Sequence, residues 1–430
     1  MTNILFLTGM LLAAVLNFAR LGLAAALLAP ADFGIYTSII GVVALSGMAV
    51  SFGLMETTTK LYPRLWVSGQ LDEIRRDARA RVLKMGLRVL ALTVCLALLV
   101  ETTGLSGTLG IGGGVALLLG VLVWISTLLN LCTALIRATG AMGLLQAFAF
   151  VRSSIPLVLV AIALSGDAWL PVILAETIGL GVVALMGLML VRRTMRRHVV
   201  LSGAVPAEAG SDAPAAPGER DGRVLYFANI MSSSILLGDR ALITALLGPV
   251  IGGAYGAVAL ITQSGNLLSG ILSQKFGPEI IRRIHKGAAP RQGLGLLGFP
   301  ALALGLAALG VALVTSFGPV LFPPLASFLE ARGIGSSALL AAALLVFLQI
   351  FLPLEFLIIA LDRERAILRA SALALLVWIG SVTLCYRMEL GLTAYILSIA
   401  AARIIQMTAL ILAIGHDIRR EAYPASQPPR

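Results

Sequence analysis

LLAPADFGIY, residues 27–36, returns almost intact as LLGPVIGGAY at 246–255, and each copy follows an arginine, Arg20 or Arg240, set inside a strongly apolar run. Superimposing the two at an offset of 219, the distance from Pro30 to Pro249, places Leu28, Pro30, Gly34 and Tyr36 opposite Leu247, Pro249, Gly253 and Tyr255. A second echo, RSSIPLVLV from Arg152 and RASALALLV from Arg369, lies at an offset of 217, the distance between those arginines. One match in so apolar a chain means little. Two at nearly one offset argue for an internal duplication.

The runs around these phrases are of membrane-spanning length. The chain has 430 residues, 59% hydrophobic and 12% charged, with a mean hydropathy of +0.98. Its apolar residues come in blocks of about 20, enough to cross about 30 Å of hydrocarbon as helix. Twelve such runs are predicted, at 4–28, 33–55, 84–104, 111–135, 146–166 and 169–191, then 224–247, 250–272, 294–318, 336–360, 367–386 and 391–414. The first opens directly from Met1 with no cleavage site behind a short apolar region, so it reads as a span rather than a signal peptide. The three cysteines, Cys95, Cys132 and Cys385, are far apart inside apolar runs and support neither a disulfide framework nor a metal site.

The net charge of +11 follows the positive-inside rule rather than a nucleic-acid footprint, and no nucleic-acid partner is implied. Connections after even-numbered spans hold Arg75, Arg76, Arg79 and Arg81, then Arg137, then Arg192, Arg193, Arg196 and Arg197, then Arg282, Arg283 and Lys286, then Arg363 and Arg365. Those after odd-numbered spans offer only Arg332 and Arg387. Both termini and every even-numbered loop are therefore expected in the cytoplasm. The basic stretch 60–88 is expected to include an amphipathic helix on the inner leaflet, attracted by anionic lipids. The outer loops are short, the longest at 319–335, which leaves no room for an extracytoplasmic catalytic domain.

SGAVPAEAGSDAPAAPGERDG at 202–222 has the composition of a disordered linker. It divides the chain into a bundle at 1–200, a linker at 201–222, a second bundle at 223–416 and a tail at 417–430. An even number of spans per half makes the repeat parallel, with its axis along the membrane normal. The expected fold is an all-α polytopic membrane protein, about 12 helices in two six-helix bundles that rock about a cleft. The repeated phrase is the outer turn of the first hairpin in each half, with Pro starting and Gly permitting the turn.

Charges inside the spans are few: Arg20, Arg152, Arg240 and Arg403 against Glu176, Asp239 and Glu355. Each costs about 2.5–3.5 kcal/mol to insert, so each is a candidate for function. Arg20 and Arg240 both lie about 16 residues into outward-running spans, roughly 24 Å from the inner surface. Asn17 shares a face with Arg20, and Asn229 and Ser233 lie within a narrow arc of Arg240. These arginines read either as salt-bridge partners or as contacts to an anionic substrate. Asp239 points about 100° from Arg240 and so pairs with another helix or with Arg20. Arg152 reads either as a cavity residue or as a cation snorkelling to the inner headgroups. Arg403 and Gln406 share a face near the depth of Glu355, as a structural pair or a ligand site, and Glu176 is a proton or cation site or the partner of an outer arginine. No GxxxxGK[ST] or HExxH motif is present, so the chain holds no P-loop ATPase and any uphill step draws on an ion such as H+ or Na+, a potential or a partner. No other cofactor is implied.

The stretch from Arg20 through LLAPADFGIYTSIIGVVALSGMAVSFGL, its partner GDRALITALLGPVIGGAYGAVALITQSGNLLSGILSQ and the LIRATG ending of the fourth span resemble the Wzx-type polysaccharide biosynthesis flippases. These belong to the multidrug, oligosaccharidyl-lipid and polysaccharide (MOP) exporter superfamily. The resemblance implies a MATE/MOP-like fold without enzymatic activity. It implies a flippase carrying undecaprenyl-diphosphate-linked sugar units across a bacterial inner membrane for O-antigen, capsule or exopolysaccharide synthesis, with glycosyltransferases and a polymerase as pathway partners. It also implies that Arg20 and Arg240 line a cationic central cavity, and guanidinium groups suit that task because they bind phosphate bidentately and stay charged. The alternatives are a proton- or sodium-coupled drug or cation exporter of the same superfamily, a major-facilitator transporter, or a membrane glycan polymerase. The loop after the second span lacks the glycine-rich basic motif of major-facilitator proteins, and a polymerase would need a sizeable outer loop.

Overall fold

A computed structural model describes residues 2–52, 54, 58, 61, 62, 65, 66, 69–102, 113–166, 168–201, 223–285, 290–361 and 363–422. The helices are α1 (Thr2–Leu27), α2 (Pro30–Ser51), α3 (Leu71–Thr102), α4 (Gly113–Ala138), α5 (Met142–Ala163) and α6 (Trp169–Leu201), followed by α7 (Arg223–Leu247), α8 (Pro249–His285) and the short α9 (Pro290–Leu296). Then come α10 (Gly298–Leu321), α11 (Pro323–Ala331), α12 (Ser336–Leu348), α13 (Phe351–Ala360), α14 (Glu364–Arg387) and α15 (Leu392–Ala422). No strand occurs among the described residues. Ten helical stretches among them are long and apolar enough to cross a membrane. The other two expected spans, 84–104 and 250–272, with 103–104 outside the described residues, fall on α3 and α8, of 32 and 37 residues. At 1.5 Å per residue these reach roughly 48 and 56 Å, well beyond the apolar layer.

From Leu71 the basic segment before the third span is the first part of α3, continuous with the span; the rest of 60–88 lies partly outside the described residues. The outer connection 319–335 is largely helical, because Pro323 restarts a helix at its first position, where the missing N–H costs nothing. The tail expected from 417 continues as α15 to Ala422, and 423–430 lie outside the described residues. So does the linker at 202–222.

The chain forms two compact units, Met1–Ala29 with Ile39–Tyr226, and Pro30–Ser38 with Phe227–Arg430. The division thus falls at 226 rather than in the linker, and the first nine residues of α2 belong to the second unit. In the first unit α1 packs on α5, α5 on α6, α6 on α4, and α4 on α3. In the second, α8 packs on α12 and α13, α12 on α10 and α15, and α14 on α15. Its core gathers Ile235, Tyr255, Leu345, Trp378, Tyr395 and Ile399.

The repeated phrase explains itself inside the second unit. Pro30 and Pro249 are the first residues of α2 and α8, as the sequence implied. Gly34 and Gly253 are not turn residues, however; they lie in the first turns of those helices and touch the opposite copy. A Cβ on Gly34 would stand 2.1 Å from the carbonyl oxygen of Pro249, and one on Gly253 would stand 1.8 Å from that of Pro30. The two copies pack reciprocally, backbone on backbone, which requires both glycines. Ser38 adds a polar tie, its hydroxyl bonding Thr244 Oγ1 at 2.7 Å.

The tenth expected span, 336–360, is broken. Pro353 has no N–H for the carbonyl of Gln349 four residues earlier. Ser269 Oγ on α8 donates to that carbonyl at 2.6 Å instead. The break separates α12 from α13 and places Phe351 and Glu355 on their own short helix.

Replacing Gly253 with valine should lower the thermal midpoint of the purified protein in detergent, by an overpacking cost of about 1–3 kcal/mol or more. Gly22→Ala, where nothing lies within 4 Å of an added Cβ, should leave the midpoint unchanged.

Candidate functional site

Arg20 lies seven residues before the last residue of α1, and Arg240 seven before the last of α7. The duplication thus sets equivalent guanidiniums at equivalent positions along their own helices, about 10 Å from the helix ends. Their surroundings differ.

In the first unit, Arg20 Nη1 meets Glu176 Oε1 of α6 at 2.7 Å, and its Nη2 donates to Asn17 Oδ1 at 2.9 Å. Both charged residues are buried, 7% and 2% exposed. The approach of α6 depends on Gly179, whose added Cβ would lie 2.9 Å from the Cα of Pro156 on α5. Glu176 is three residues, about one turn, before that glycine and so reaches the bundle interior. Of the two readings of Arg20, the geometry realises the salt bridge. Arg152 on α5 is half-buried and donates from Nη2 to Asn130 Oδ1 of α4 at 3.3 Å. Its guanidinium is engaged with a neighbouring helix.

In the second unit, Asp239 and Arg240 are each 4% exposed. Asp239 Oδ2 accepts the hydroxyl of Tyr255 from α8, and its Oδ1 accepts the backbone N–H of Arg240 at 2.7 Å. Another helix therefore supplies its partner, and that partner is the tyrosine of the repeated phrase. Arg240 Nη2 donates to Gln263 Oε1, also on α8, at 3.0 Å. Asn229 is half-buried on α7 and joins no polar cluster among the described residues.

Seven residues before Asp239, and so two turns along one face of α7, Ser232 begins a second network. Arg403, fully buried, donates from Nη1 to Ser232 Oγ and from Nη2 to the Ser232 carbonyl, each at 2.8 Å. Nη1 also meets Gln406 Oε1, while the guanidinium lies 4.3 Å from the ring centre of Phe351. Gln406 Nε2 donates to Ser371 Oγ at 3.2 Å and to Glu355 Oε1 at 3.5 Å. Arg403 and Glu355 form no direct ion pair among the described residues; Gln406 stands between them. Arg240 forms none either. The Nε atoms of Arg240 and Arg403 are buried without a hydrogen-bond partner in the structure.

Sequence reading found all seven charged members of these clusters and the Gln406 partner. It missed Asn130, Ser232, Gln263, Phe351, Ser371 and the role of Tyr255 as partner of Asp239, and favoured Ser233, which is half-buried and does not bind Arg403. Gln263 stood out only as an amide inside an apolar run. The others needed the interhelical register. No sequence-predicted site residue lines a cavity of about 870 Å³ in the first unit.

No family model matches the chain, and no curated protein matches it in sequence. Solved structures do match in fold. A multidrug resistance MATE family transporter of the MOP superfamily, in an inward-facing conformation, superposes with a TM-score of 0.68 at 14% identity, covering 96% of each chain. A mutant form of the Vibrio cholerae MATE transporter VcmN gives 0.62 at 20% identity over 96% of this chain and 94% of that one. The lipid II flippase MurJ, in an inward closed conformation, gives 0.61 at 13% identity over 97% and 89%.

Glu176→Ala should destabilise the protein by about 3–5 kcal/mol, because it strands a buried guanidinium. The double variant Arg20→Met with Glu176→Leu should recover most of that loss in a thermal-unfolding cycle. The chain is a multi-pass membrane protein with the fold shared by MATE transporters and the flippase MurJ.

Proposed function

We propose that the protein is a transporter that flips a polyprenyl-diphosphate-linked oligosaccharide across the bacterial inner membrane by alternating access, with both termini in the cytoplasm. The fold supports a transporter of this architecture and weighs against the major-facilitator plan. The observation that carries the substrate class is the way the second unit holds its cations. Arg240 and Arg403 are buried and bonded to neutral oxygens of Gln263, Ser232 and Gln406, so their charge is oriented without being cancelled by a direct carboxylate contact. A diphosphate entering such a site would gain charge-assisted, bidentate bonds in an environment of low polarity. Within the first unit, Arg20, Asn17 and Arg152 are a further candidate contact for the substrate, with Glu176 offsetting one of the two positive charges. Asn229, half-buried and outside either network, would meet the sugar or headgroup. Glu355, which among the described residues meets the network through Gln406, is the carboxylate we assign to coupling with H+ or Na+. Asp239 is assigned to orienting Tyr255.

A second reading, export of an organic cation, is favoured by the fold match to multidrug MATE transporters. It would make Glu176, Asp239 and Glu355 the ligands. Binding to the purified protein separates the two. A fluorescent short-chain polyprenyl diphosphate should bind, Arg240→Gln should weaken it at least about tenfold, a loss near 1.4 kcal/mol, and ethidium should not compete. Competition by ethidium, lost in Glu355→Gln and kept in Arg240→Gln, would establish the exporter in its place.

A further inference from the structure

The cavity of about 870 Å³ in the first unit lies between α3, α4 and α6, and its walls change polarity along their length. On α3, Arg75 and Arg79 are followed by Leu83, Leu87 and Leu90 at helical spacing on the same face. On α6, Leu188 is followed in the same way by Arg192 and Arg196. α3 starts where α6 ends, so four guanidiniums gather at one mouth above an apolar trough. Trp124 of α4 lines that trough, close enough to α3 that a Cβ on Gly86 would stand 3.1 Å from its ring.

Leucines exposed on a membrane helix meet acyl chains wherever they lie, and exposed arginines at a helix end satisfy the positive-inside rule. Neither feature alone makes a site. Here a concave wall joins them, and no carboxylate lines it. Asp72 reaches Arg75 at 3.1 Å; Arg79, Arg192 and Arg196 have no carboxylate partner among the described residues. Unlike Arg20, Arg240 and Arg403, these arginines are exposed, as suits a headgroup at the membrane surface rather than cargo in mid-bilayer.

We propose that this groove binds one anionic glycerophospholipid. Arg79, Arg192 and Arg196 hold its phosphate, and an acyl chain lies along Leu83, Leu87 and Leu90. The positive-inside rule places the mouth at the cytoplasmic leaflet, where basic pockets between helices recognise anionic headgroups. The bound lipid ties α3, whose first turns project beyond the apolar layer, to α6. This inference does not depend on the transported substrate.

The test uses the full-length protein in neutral detergent, stripped of lipid and given phosphatidylglycerol. Native mass spectrometry should find one lipid retained per chain, and the thermal midpoint should rise by about 3 °C or more. Phosphatidylcholine and free glycerol 3-phosphate should do neither. The variant R79Q/R192Q/R196Q should lose both effects. L83W, which keeps every charge and fills the trough, should lose retention too. R365Q/R369Q, on exposed arginines of α14, should keep both. Retention by R79Q/R192Q/R196Q or by L83W, an equal shift from glycerol 3-phosphate or phosphatidylcholine, or loss in R365Q/R369Q would each overturn the proposal.

Discussion

A guanidinium inside a bundle of apolar helices must be met by hydrogen-bond acceptors, since it stays charged and the surrounding hydrocarbon offers it nothing. Much of the local architecture follows from that demand. In the first unit a direct carboxylate meets it: Glu176 on α6 reaches Arg20 because Gly179 lets α6 lie against Pro156. In the second unit amides, a hydroxyl, a backbone carbonyl and an aromatic face meet it instead. A cation satisfied by a carboxylate is electrically quiet. One held by neutral dipoles, as are Arg240 and Arg403 in the second unit and Arg152 in the first, has no carboxylate in contact with it, so an anion can still approach its guanidinium.

The duplicated phrase links sequence to packing in a way its composition does not reveal. A phrase written twice at one turn could be ancestry alone. Here the two copies touch, each glycine receiving the other copy's proline carbonyl, so the same two positions must stay small in both. Tyr255 adds a second use, because the phrase's aromatic residue in the second half holds Asp239. The hydroxyl and the carboxylate fix one another, and Arg240 on the next residue is aimed towards Gln263 rather than across its own helix.

Spans, the charged residues within them and the equivalence of Arg20 with Arg240 were legible in the sequence, because each rests on length, composition or periodicity along one helix. The partners were not. Ser232 and Ser233 are adjacent and chemically identical, and only the rotation of α7 against α15 decides which one receives Arg403. The broken span at 336–360 carried its signal in Pro353, but apolar length outweighed it, and the acceptor it frees is satisfied by a serine 80 residues away. Gly248 of the repeated phrase does sit at the turn, with a left-handed backbone, whereas Gly34 and Gly253 act through contact with a segment some 219 residues distant. The continuous α3 was obscured by charge, which marks a loop in a hydropathy reading yet is fully compatible with a helix that leaves the membrane.

Transport itself is the most direct test of the claim that dipole-held guanidiniums carry an anionic lipid. Purified protein in sealed vesicles, loaded with a fluorescent polyprenyl-diphosphate saccharide, can be followed by the accessibility of the sugar to an external quencher. The account predicts leaflet exchange by the unaltered chain and its loss when Arg240 and Arg403 are both replaced by glutamine in a protein of undiminished helicity. Exchange at an unchanged rate in that variant would show that these cations do not carry the headgroup.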